Sequence, residues 1–114
     1  MARGQRILRC HRVWFYSQGD ERAFFEFAQG IKGVKRIGGV GEEIHLHVAA
    51  RLSAESLRDL LALFRRYEIE LGPLRQFVTA ANQKWFKAKN QYWHKAVFGR
   101  SPIRSTRRAT AKGR

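Results

Sequence analysis

The sequence has a single cysteine, two prolines, no long apolar run and, after Glu70, no acidic residue at all. Each shortage excludes something. Cys10 forms no internal disulfide and has no second cysteine to share a metal, so a disulfide-built secreted scaffold is ruled out and a reducing compartment is expected. No stretch of about 18 apolar residues occurs, which leaves no segment to span a membrane. The N-terminus, MARGQRILRCHRVWFY, is basic, but Arg9, His11 and Arg12 interrupt it before it reaches the apolar length of a signal peptide. A cytoplasmic protein is the expectation.

What is present is positive charge, and its position is informative. Residues 1–70 carry 12 Lys and Arg against 9 Asp and Glu, whereas residues 71–114 carry 11 Lys and Arg and no acid; the net charge is +14. A block this one-sided repels itself and calls for a polyanion, either nucleic acid or acidic lipid. Solubility alone does not require the charge to be segregated.

A chain of 114 residues is long enough for one self-sufficient core. Residues 7–16, ILRCHRVWFY, are rich in β-branched and aromatic types and read as a strand ended by Ser17, Gln18 and Gly19. Asp20 serves as an N-cap for a helix carrying Phe24, Phe27, Ala28 and Ile31, closed by Gly30 and Gly33. Residues 34–37 and 43–49 flank GGVGE and read as a hairpin; Ile44, Leu46 and Val48 alternate with His45 and His47. Ser53 caps an amphipathic helix with a Leu57, Leu60, Leu61, Phe64 stripe, running to about Tyr67. Residues 69–71 and 74–78 predict a fourth strand, which Gly72 and Pro73 confine to a sheet edge.

This β-α-β-β-α-β order over residues 7–78 resembles the ferredoxin-like arrangement. The resemblance implies an α+β domain with two helices on one face of a four-stranded antiparallel sheet and the other face open. Two families of similar layout fail on their residues. RNA-recognition-motif proteins carry base-stacking aromatics on the third strand, where this chain has EEIHLHVAA. Acylphosphatases resemble it in the QG of SQGDER, but Asp20 puts a negative charge where their phosphate loop would hold an anion, and no catalytic Asn follows.

No other catalytic set emerges. His11 points away from Cys10 on a strand, which makes the thiol structural. His11, His45 and His47 could converge as metal ligands, but with no cysteine or fixed carboxylate beyond Glu43 they read as a polar sheet face, and no metal or cofactor is expected. Lys35, Arg75 and Arg9 would join that face and suit phosphate contacts better than base stacking.

Residues 84–100, KWFKAKNQYWHKAVFGR, interleave aromatics with cations. On a helix over about 82–98, Lys84, Lys87, Gln91 and Lys95 make one hydrophilic face and Phe86, Trp93 and Val97 an apolar one. A stripe this wide is expected to dock on the domain or on a second copy of it rather than on a membrane. The domain thus spans residues 1–99. Residues 100–114 hold Arg100, Arg104, Arg107, Arg108, Lys112 and Arg114 among Ser, Thr, Ala and Gly, which predicts a basic tail disordered when free. The expected function is non-enzymatic association with nucleic acid, RNA before DNA, through Lys35, Arg75, Lys84, Lys87, Lys95 and the tail cations. The rival is an interaction or dimerisation module whose aromatic helix covers a partner surface.

Overall fold

The computed structural model describes residues 5–99. Three strands form one antiparallel sheet: β1 (Gln5–His11), β2 (Val34–Val40) and β3 (Glu43–Ala49), in the order β1-β3-β2. Helix α1 (Gln18–Gly30) carries the chain from β1 to β2 across the position that β3 fills, and α2 (Ala54–Arg66) follows β3. Leu8 and Cys10 on β1 and Leu46 and Val48 on β3 are buried in one core with Phe24 and Ala28 of α1 and Leu57, Leu60, Leu61, Leu63 and Phe64 of α2. Both helices therefore cover the same sheet face.

Local chemistry explains the element ends. Ser17, not Asp20, caps α1: its Oγ accepts from the Asp20 amide at 3.0 Å, while Asp20 reaches back so that Oδ2 accepts from the Tyr16 amide at 2.9 Å. Ser53 caps α2 in the same way through the Ser56 amide at 3.1 Å, a contact whose loss typically costs about 1 kcal/mol. The hairpin turns at Gly41, which takes φ +62°, so Gly38 and Gly39 lie within β2 rather than in the turn. At the end of α2 the Ile69 amide donates to the Phe64 carbonyl at 2.8 Å and the Glu68 amide to that of Arg65 at 3.3 Å. That is a Schellman ending, with Glu68 at φ +58° in the place glycine usually takes.

Three expectations are corrected. The sheet has three strands, so the four-stranded ferredoxin-like arrangement does not hold. In place of the fourth strand Gly72–Phe77 is a 3-10 helix. Its cause is visible: Leu71, Leu74 and Phe77 are all buried, and three-residue spacing matches the eclipsed side chains of a 3-10 turn, with Pro73 at its start. Next, β1 ends at His11, because Arg12 adopts φ +54° and breaks the ladder. Finally, the continuous C-terminal helix is replaced by two short ones, α3 (Gln83–Phe86) and α4 (His94–Phe98). The Phe86 carbonyl, which a longer helix would offer to Asn90, instead accepts from Trp93 Nε1 at 2.7 Å.

Phe86, Trp93 and Val97 are nonetheless buried in the main core. Arg58 of α2 stacks its guanidinium 4.1 Å from the Trp85 ring, fixing α3 against α2. The basic tail predicted for 100–114 lies outside the described residues. Among the described residues no helix is long and apolar enough to cross a membrane.

Candidate nucleic-acid interface

Because Leu8, Cys10, Leu46 and Val48 face the core, the residues between them face outward. Register then puts Arg9 opposite His45, His11 opposite Glu43 and Ile7 opposite His47, with Arg36 and Gly38 of β2 on the far side of the same two histidines. Ile7, Arg9, His11, Arg36 and Val40 are all exposed on this face. Lys35 sits at the irregularity between Val34 and Arg36, exposed, beside a shallow depression it shares with Gln5, Arg36 and His47.

The histidines divide into two settings. His45 Nε2 lies 2.8 Å from Glu43 Oε1 and His11 Nδ1 3.1 Å from Oε2, with Arg9 Nε 3.7 Å away. The hydrogen bond from His45, aided by the charges of His11, Arg9 and His45 and opposed by partial desolvation, holds the Glu43 carboxyl below the usual carboxylate range. A depressed folded-state value contributes stability above the ordinary range, and that contribution is lost as pH falls through the folded value. His47 stands apart from this cluster, next to Arg36. Among the described residues no group of three or more His, Cys, Asp or Glu is placed to hold a metal ion. Cys10 is fully buried, and desolvation pushes its thiol up to about 12, which removes it as a nucleophile.

The C-terminal candidates separate in the same way. Arg75 is not on the sheet: its Nε and Nη2 donate to the Val97 carbonyl at 3.2 and 3.1 Å, strapping the 3-10 helix to α4. Lys84 on α3, Lys87 just after it and Lys95 on α4 are exposed, while Trp85, Phe86 and Trp93 pack on the core and Tyr92 stays exposed. Apart from Arg75, the structure carries the predicted cations among the described residues in two places, Lys35 on the sheet and Lys84, Lys87 and Lys95 on or beside the C-terminal helices. Arg100, Arg104, Arg107, Arg108, Lys112 and Arg114 lie outside the described residues.

Another feature escapes the sequence reading. A depression of about 300 Å³ is formed by the β1–α1 loop, the start of α1 and the end of α2, lined by Arg12, Trp14, Tyr16, Asp20, Arg66, Tyr67 and Glu68. Trp14 is 68% and Tyr16 85% exposed, with ring centroids 6.3 Å apart at 75°. Tyr67, which also lines the depression, is half-buried, its hydroxyl 3.5 Å from the Asp20 carbonyl and its pKa raised chiefly by burial. Continuous strand alternation through VWFY would place Phe15 outward with Val13, but Phe15 is the ring that packs inward. The irregular backbone at Arg12 decides this, and nothing in the residue types announces it.

Comparison with protein-family models, with curated proteins and with solved structures finds no match to this chain.

Proposed function

We propose that the chain is a non-enzymatic nucleic-acid-associated protein, RNA before DNA, that binds chiefly through phosphate contacts and acts in the cytoplasm. The observation that carries this reading is the charge split: 11 Lys and Arg and no acid after Glu70 in a chain of net charge +14. Lys84, Lys87 and Lys95 support it because they stay exposed while Phe86 and Trp93 beside them are spent on the core. Arg9, Lys35 and Arg36 add cations on a sheet face that is uncovered among the described residues. Arg75 contributes less, since its guanidinium is engaged with the Val97 carbonyl. Flexible cations that meet phosphates position a partner without reading its sequence.

The test is binding to generic single- and double-stranded RNA and DNA across a salt series, for the full chain and for a chain ending at Gly99. Removing residues 100–114 takes away six cations. It should leave the melting temperature nearly unchanged, weaken binding, and flatten the salt slope by up to about 0.9 per lost duplex-phosphate contact. A full-length protein that binds neither RNA nor DNA at micromolar concentration and near-physiological salt would overturn the reading in favour of a protein-interaction or dimerisation module.

A further inference from the structure

The loop that joins β1 to α1 is built to keep two aromatic rings in solvent. Of its consecutive Trp14, Phe15 and Tyr16, Phe15 packs inward at 5.4 Å from Phe24, 6.4 Å from Phe25 and 6.0 Å from Tyr67. The hydrogen bond from the Tyr16 amide to Asp20 and the Ser17 cap fix the next residues to the first turn of α1. Trp14 and Tyr16 are thus held outward by anchors on either side, and they are the most exposed large apolar side chains among the described residues.

The backbone at this place is also unusual. Arg12 and Glu68 are the two non-glycine residues with positive φ among the described residues, at 54° and 58°, and both line the same depression as Trp14 and Tyr16. Glycine would take either conformation more cheaply, and at Glu68 the helix ending makes glycine the ordinary choice. Charged side chains are kept at two strained positions that line one depression. That coincidence points to use of the depression rather than to folding alone.

We propose that the depression is a seat for an unpaired nucleobase of a single-stranded nucleic acid. The inference rests on the nucleic-acid reading and adds a second mode to it, stacking beside phosphate neutralisation. The volume, about 300 Å³, is at the small end of ligand sites. Trp14 and Tyr16 supply π faces at the rim, and Arg12 and Arg66 supply guanidinium groups that serve a flanking phosphate or the base plane. Asp20 is already engaged by the Tyr16 amide, while the Glu68 carboxylate, exposed and without a side-chain hydrogen bond among the described residues, can accept from an exocyclic amino group. Bases in a duplex are stacked on one another and are excluded from such a seat.

The experiment uses the full chain with Trp14→Ala and Tyr16→Ala, each confirmed as folded by its melting curve. Three probes are titrated: a single-stranded 12-nucleotide RNA, a duplex of the same length, and inorganic polyphosphate as a polyanion without bases. Each substitution is expected to weaken single-strand binding by about 5- to 150-fold, the effect of losing one stacked base, and to leave duplex and polyphosphate binding within twofold. If both variants bind the single strand as tightly as the unaltered chain, the seat is wrong while the nucleic-acid reading stands. Equal losses on all three probes would also overturn it, since the rings would then act without reading bases. If the unaltered chain binds neither the single strand nor the duplex, the underlying reading fails and the seat with it.

Discussion

Residues 12–17 and residues 84–98 are both crowded with aromatics, yet Trp14 and Tyr16 stand 68% and 85% exposed while Phe86 and Trp93 are 0% and 4% exposed. By composition the second segment is the more obvious candidate for a ligand platform. Apart from Tyr92, which is 54% exposed, its rings are instead consumed by packing: Trp93 donates its indole N–H to the Phe86 carbonyl, Phe86 meets Phe98 at 4.9 Å, and Arg58 lies over Trp85. The first segment reads as an ordinary strand end and turns two of its three rings, Trp14 and Tyr16, to water. Aromatic density therefore does not distinguish core from surface. What distinguishes them is whether each polar handle and ring face already has an internal partner.

The largest expected effect breaks the C-terminal half of this comparison. Trp93→Ala removes a buried ring and leaves the Phe86 carbonyl without its donor, so the full chain should lose about 3–5 kcal/mol of folding stability, read from urea denaturation midpoints. An unchanged midpoint would mean that the C-terminal segment is not part of the core, and its rings would become candidates for a partner surface.

How far these features are legible in the sequence depends on how local their causes are. Helix α2 is legible because Ser53 and the Leu57, Leu60, Leu61, Phe64 stripe are local signals that agree with one another. So is β3, where alternation around Leu46 and Val48 fixes which side is buried. The fourth strand misled because Leu71, Leu74 and Phe77 are apolar at a spacing of three, a period that belongs to the 3-10 turn they form. The exposed cations Lys84, Lys87 and Lys95 could be read from a helical wheel, although the helix is interrupted, since α3 and α4 each keep their own local faces. Arg75 could not be: its contact with the Val97 carbonyl joins residues 22 apart and has no local signature. The depression at Trp14 was also hidden, because it depends on left-handed backbone at Arg12 and Glu68, residue types that seldom adopt it.

A smaller effect, of opposite sign, tests the strained wall of that depression. Holding a side chain in the left-handed region costs about 1–2 kcal/mol, and glycine returns part of that gain through the extra freedom of the unfolded chain, about 0.5–1 kcal/mol. Glu68→Gly should therefore stabilise the protein by about 0.5–1 kcal/mol, while Glu68→Ala, which keeps the strained Cβ, should not. Equal melting temperatures for the two variants would show that the charge, not the backbone, sets the cost at this position.

The smallest expected change in stability is at Trp14, and it is the one that sharpens the comparison most. The ring is 68% exposed, and its aromatic neighbour is the still more exposed Tyr16 at 6.3 Å. Truncating it opens no cavity and strands no buried polar group, so Trp14→Ala should stay within about 0.5 kcal/mol of the unaltered chain, the range of surface substitutions. The adjacent Phe15→Ala should cost more than about 1 kcal/mol, because that ring meets Phe24, Phe25 and Tyr67. The pair, measured side by side by urea denaturation, tests whether alternate residues of one loop serve different ends. If Trp14→Ala destabilised the protein as much as Phe15→Ala, both rings would belong to the core, and the contrast between the two aromatic segments would disappear.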